Sequence, residues 1–167
     1  MTIETVYLAG GCYWGLEDLL SKIPGVIDTK VGFSGGHVKN VCYREVTTGT
    51  TGHAETVKVD FDTEILSFKD LLIFFFKIHD PTTLNQQGND IGTQYRSAIF
   101  ATTNEQILQA EDLIKKIDVS GILKKKITTE VISFSSFYPA EENHQKYIQK
   151  YPDGYTCHYL RDISINI

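Results

Sequence analysis

The sequence predicts an α+β fold: a two-layer sandwich with a mixed sheet, built on a ferredoxin-like (split βαβ) core. Three observations carry that expectation. Residues Glu4 to Leu8 alternate polar and apolar side chains, the period of a strand. Leu16, Leu19, Leu20 and Ile23 then recur at helical spacing until Pro24-Gly25. Across residues 4–101 the signals run strand–helix–strand–strand–helix–strand, the order of that core. A chain of 167 residues is long enough for one such unit with a true interior.

Further elements follow in order. Gly25 to Val31 is rich in β-branched residues and leads into Gly32-Phe33-Ser34-Gly35-Gly36, a second strand closing in a loose glycine turn. His37 to Gly52 is polar and shows no sustained period. Glu55 to Phe61 alternates cleanly, with Thr56, Lys58 and Asp60 against Val57, Val59 and Phe61, and predicts a third strand with one wet face. Ser67 is placed to cap a helix that carries Leu71 to Ile78, and Asp80-Pro81 ends it. Thr82 to Tyr95 has no apolar period and is rich in Asn, Gln, Gly and Asp; a loop of that length in a compact domain is usually functional. Arg96 to Ala101 predicts a strand, Asn104 to Ile117 a helix, Ile127 to Phe134 a last strand and Ala140 to Tyr151 a last helix.

Bulk properties exclude several classes. A net charge of −5 and a pI near 5.5 argue against a phosphate-binding surface, so no nucleic-acid partner is expected. Lys124-Lys125-Lys126 is short and reads as a solvated helix end. The longest apolar run, Leu71 to Phe76, cannot span a bilayer, and residues 1–9 hold no export signal. No membrane association and a cytoplasmic location are therefore expected. Three cysteines, an odd number, do not form a disulfide framework, and in a reducing compartment they are catalytic, metal-bound or simply buried. His53-Ala54-Glu55 fits half of a zinc deaminase signature, but no Cys-x-x-Cys accompanies it, so a metal site is set aside. No cofactor is called for.

Chemistry concentrates where the chain leaves its pattern. Cys12 lies between the first strand and the first helix, where free N–H groups and the helix dipole favour a thiolate; a small buried hydrophobe is the alternative. Gly11-Cys12-Tyr13-Trp14-Gly15, Gly52-His53-Ala54-Glu55, the run from His79-Asp80-Pro81-Thr82 to Gln94-Tyr95-Arg96-Ser97, and Phe137-Tyr138-Pro139-Ala140-Glu141 with His144-Gln145 together resemble peptide methionine sulfoxide reductase of the A type. The resemblance implies Cys12 as nucleophile, Glu55 as the acid that protonates the sulfoxide oxygen, and Asp90 as the residue that orders the polar network. It places oxygen-binding tyrosines at Tyr43 and Tyr95. Tyr13 and Trp14 fall where the family receives the substrate methyl, with Tyr13 replacing the usual Phe at a pocket rim.

The chemistry suits those residue types. A sulfoxide sulfur is a poor electrophile until its oxygen is protonated, and a thiolate that attacks it keeps the oxygen as a sulfenic acid. Cys157 in the tail is the expected resolving thiol, with Cys42 the alternative, and thioredoxin the expected reductant. Residues 1–151 would then form the catalytic domain and 152–167 a tail carrying Cys157. The implied substrate is methionine S-sulfoxide, free or in proteins, and a monomer is expected. Departures from the family pattern include Val41-Cys42 where many members have Pro-Thr, Thr47 for a Cys, and Gln86 for an Arg. Two other readings stand beside this one: a hydrolase using Cys12 with His53 or His144 as base, and a non-catalytic methionine-binding domain.

Overall fold

Alternation and helical spacing near the N-terminus place every core element about where they predict. A computed structural model describes Met1–Ile167. The chain runs β1 (Ile3–Ala9), α1 (Tyr13–Ser21), β2 (Val26–Ser34), α2 (Tyr43–Val46), β3 (Ala54–Asp62) and α3 (Phe68–Ile78). A small hairpin, β4 (Gln86–Gln87) and β5 (Asp90–Ile91), and a 3-10 turn at Thr93–Tyr95 precede β6 (Ala98–Ala101). Then come α4 (Asn104–Ser120), β7 (Glu130–Ser133), β8 (Phe137–Pro139) and α5 (Tyr147–Lys150).

The main sheet has the order β7-β6-β1-β3-β2-β8. Its central four strands are antiparallel and form the split βαβ core: Val6 faces Val59, Val31 faces Val57 and Tyr7 faces Phe100. α4 crosses over to return β7 parallel to β6, and β8 closes the other edge against β2, so the sheet is mixed. One face carries the helices. Val6, Leu8, Val31, Phe33, Val57, Val59 and Phe61 pack there with Leu16 and Leu20 of α1, Phe75 and Phe76 of α3, and Leu113 and Ile117 of α4. Each fully buried aromatic or leucine in that layer contributes roughly 1.5–3 kcal/mol.

Caps behave as their residues dictate. The Ser67 hydroxyl accepts from the Asp70 N–H at 3.1 Å, and Thr103 does the same for Gln106 at the start of α4. Gly121 closes α4 in the left-handed conformation.

Three expectations need correction. The wet face of β3 is only partial: Thr56 is fully buried, whereas Lys58 and Asp60 keep some exposure beside exposed Lys30 and Asp28 of β2. A second cluster, in which Tyr7 stacks on Phe134 at 4.0 Å, covers the rest of that face. The predicted last helix is broken. Ala140 and the Gln145 side chain instead extend the sheet edge, the Gln145 amide exchanging bonds of 2.9 Å with both polar groups of Val31. Lys146 then adopts φ +53, which leaves only the single turn of α5. Finally, Lys124-Lys125-Lys126 lies beyond the end of α4, in an irregular loop.

Candidate active site

β3 carries Glu55 in phase with Val57, Val59 and Phe61, so its side chain enters the helix-covered face rather than solvent. It stands opposite Phe33 in the β2–β3 ladder and is 1% exposed. The Tyr13 backbone N–H, free because it opens α1, donates to Glu55 Oε1 at 3.1 Å. Oε2 is buried with no partner. Burial, and to a lesser degree the carboxylate of Asp90, push the Glu55 pKa up to about 8 against the pull of that N–H. At neutral pH the side chain is a carboxylic acid with its proton available.

Cys12 is the N-cap residue of α1, in extended conformation and buried. The helix start by itself favours a thiolate there. Burial reverses that balance: desolvation, reinforced by the Glu55 charge once that acid ionises, holds the thiol well above its ordinary range despite the Trp14 N–H. Cys12 rests as a thiol.

The remaining predicted side chains converge on this pair. Tyr43 opens α2, and burial with the potentials of Glu55, Cys12 and Asp90 raises its pKa to about 12. Tyr95 ends the 3-10 turn and is raised by burial and by the same groups, so both phenols stay protonated donors. Asp90 sits on β5, in a loop ordered by the Gln87 amide, which bonds the Asp80 N–H at 2.7 Å and the Asp80 carbonyl at 2.8 Å. Asp90 Oδ2 accepts from the Tyr155 hydroxyl at 3.0 Å and lies 3.7 Å from the Cys157 sulfur.

Tyr13 is not at a rim. Its ring is completely buried against Phe33, and its hydroxyl lies 3.1 Å from His144 Nδ1. Trp14 Nε1 donates to the same nitrogen at 3.1 Å, and its indole stacks on Tyr147 at 3.8 Å. Nδ1 is therefore an acceptor, and burial keeps the imidazole neutral. Only Trp14 of the pair retains an exposed edge. The sequence marks Gly154-Tyr155-Thr156-Cys157-His158 as a segment able to carry chemistry but gives Tyr155 no role of its own, gives Tyr147 none, and gives His144 one only as the base of a hydrolase. The His144-Gln145 block and the polar tail segment were the signals that could have found them.

Residues 152–167 form no helix or strand, yet the tail is docked. His158 Nε2 bonds the Gly10 carbonyl oxygen at 2.6 Å, and Ile165 is buried in the main core. Two glycines make room for it. Gly11 has φ +88, and a Cβ there would lie 3.2 Å from His158 Cε1 of the tail and 2.7 Å from Gln87 Cγ. Gly15 is helical, where glycine costs about 1 kcal/mol relative to alanine, but a Cβ would collide with Thr156 Oγ1 and come within 2.8 Å of His158 Nδ1. Cys157 thus reaches the electrostatic neighbourhood of Cys12. Gly15→Ala should leave α1 intact and displace the tail, raising the rate at which the Cys157 thiol is alkylated; circular dichroism and timed alkylation measure the two.

The chain matches the family model "Peptide methionine sulfoxide reductase" over residues 4–166. It is 51% identical over 158 residues to peptide methionine sulfoxide reductase MsrA 1 of Mesorhizobium japonicum, covering 95% of this chain and 90% of that one. Its fold superposes on Mxr1 of Saccharomyces cerevisiae in reduced form with a TM-score of 0.91 and 37% identity, over 96% of this chain and 93% of that one. A structure of Mxr1 in complex with Trx2 superposes with a TM-score of 0.65 and 25% identity, over 96% and 91% of the two chains. A family model matched over residues 4–166 and relatives half-identical across nearly the full length show that the chain belongs to the peptide methionine sulfoxide reductase family.

Proposed function

We propose that Cys12 reduces methionine S-sulfoxide, with Glu55 as the acid and Cys157 as the resolving thiol. The observation that carries the reading is Glu55 held neutral near pH 7 with Oε2 unpaired beside Cys12. A sulfoxide oxygen placed among Oε2, Tyr43 and Tyr95 would accept a proton from the first and hydrogen bonds from the others. Its methyl group would lie on the open edge of Trp14, with Tyr13 as the backing behind it.

The Cys12 sulfur attacks the sulfoxide sulfur, and the oxygen is retained on Cys12 as it passes from thiol to sulfenic acid. The substrate leaves as the thioether. The thiol proton ends on the sulfenic hydroxyl, and Glu55 finishes protonated as it began. Cys157 then condenses with the sulfenic acid, releasing water and forming a disulfide. A dithiol reductant supplies the two electrons that restore both thiols. The Mxr1 complex with Trx2 supports thioredoxin in that role. No helix is long and apolar enough to cross a membrane, and a cytoplasmic setting with its thioredoxin pool fits the cycle.

The test uses reduced protein and a mixture of both sulfoxide epimers. With dithiothreitol, the S epimer should be consumed and the R epimer left; consumption of neither would remove the reading. Cys157→Ser should give one stoichiometric burst and lose thioredoxin-driven cycling, and unchanged cycling would reject Cys157 as the resolving thiol.

A further inference from the structure

Outside the site, one cavity gathers charge of the wrong sign for this protein. It measures about 320 Å³ and lies between the loop after α4 and the C-terminal tail. Its walls include Lys124, Lys125 and Arg161, with Asp80 as the lone carboxylate and Ile122 and Ile163 as apolar flanks. Three cations and one anion give a local charge of +2 in a chain of net charge −5. His79 at the base adds nothing, because burial lowers its pKa to about 3.

None of the three cations pairs with a carboxylate. The Arg161 guanidinium packs on the Tyr159 ring at 4.6 Å, and its Nη1 is buried with no protein acceptor. A buried charged donor without an acceptor is costly, and such groups are rare in native folds. Asp80 makes no ion pair with it: its Oδ1 accepts from the Thr82 N–H at 3.0 Å and the Thr82 hydroxyl at 2.6 Å, and against burial these bonds and the more distant Arg161 charge hold the carboxyl below its ordinary range. Lys124 holds φ +65, a left-handed conformation that a lysine adopts at a cost. The Arg161 backbone is fixed by its N–H to the Lys77 carbonyl at 2.9 Å, so the guanidinium is presented from an anchored stretch of tail.

We infer that this cavity binds a small molecule through a phosphate or carboxylate group, with Arg161 as the anchor and Lys124 and Lys125 completing the oxyanion cradle. Arginine offers the forked donors that match either oxyanion, and two flanking ammonium groups add charge without further geometric demand. The apolar flanks fit a short carbon body on the anion. The site is separate from the sulfoxide chemistry and needs none of it.

Calorimetric titration of the reduced protein with inorganic phosphate and, separately, with citrate tests this at constant ionic strength, with chloride as control. Saturable binding of one ion per chain is expected for at least one probe. A preference for phosphate identifies a phosphorylated ligand, and a preference for citrate a carboxylate one. Arg161→Met should weaken the preferred probe by about 10-fold or more. Lys124→Gly should weaken it by roughly 3-fold while leaving the melting temperature unreduced, since glycine accepts the left-handed backbone. That second variant keeps the test decisive if Arg161→Met does not fold. Heats that never saturate with either probe, or saturable binding that both variants retain in full, would overturn the inference.

Discussion

Cys12→Ser should abolish turnover, lowering kcat/KM by roughly 10⁴-fold or more, because an alcohol oxygen cannot take up the sulfoxide oxygen as a sulfenic acid does. The loss will not come from unfolding. Cys12 is the N-cap of α1 and makes no side-chain capping bond. Serine is among the best N-cap residues, so the substitution should hold stability or add about 0.5–1 kcal/mol. Mass spectrometry after exposure to sulfoxide checks the chemistry: wild-type protein should show the Cys12 oxidation product, and the variant no change at residue 12. Turnover in a folded Cys12→Ser protein would move the nucleophile elsewhere.

Glu55→Gln should cut the rate of the chemical step by about 10²–10⁴-fold with little change in substrate affinity, since the amide keeps the acceptor for the Tyr13 N–H but has no acidic proton. The same substitution has an opposite effect on stability. In the folded protein Glu55 keeps its proton up to about pH 8, whereas the unfolded chain releases it near its ordinary 4.5. Between those values the native state binds the extra proton, so wild-type stability falls as pH rises and the deficit is complete above about 8. The full deficit amounts to a few kcal/mol, since each tenfold change in proton affinity is worth about 1.4 kcal/mol. Glu55→Gln lacks that slope. Urea melts at pH 5 and pH 9 should converge at the lower pH and favour the variant at the higher one. Wild-type activity should decline through the same upper limit, as the acid loses its proton.

How far the sequence carries the site can be judged from single residues. Glu55 is legible twice, in its motif and in its parity with Val57 and Val59, which already places a carboxyl on an apolar face. Cys12 is legible in position but not in charge. The helix start is local information, whereas what outweighs it is burial and, after it, the charges of Glu55, Asp90 and Cys157, all distant in the chain. The break at Gln145 and Lys146 is hidden because Ala140 to Tyr151 has helical propensity throughout; the competing bonds are made to Val31, more than a hundred residues away. β8 escapes because three residues ending in Pro139 carry almost no period. Tyr13 can be assigned a neighbourhood from sequence, but its enclosure by Phe33 and His144 is a property of packing alone.

The bond from His158 to the Gly10 carbonyl joins residues 148 positions apart, nearly the whole chain. During synthesis β1 and the Cys12 turn leave the ribosome long before the residues that dock on Gly10, Gly11 and Gly15. Contacts of such separation form late, after the local pairings of β2 with β3 have condensed. A nascent chain therefore holds Cys12 well before it holds Cys157, the thiol proposed to clear it. Oxidised in that interval, it would stall with a sulfenic acid open to other thiols. Under the proposed cycle, the ability to recycle comes late in folding, after the ability to react.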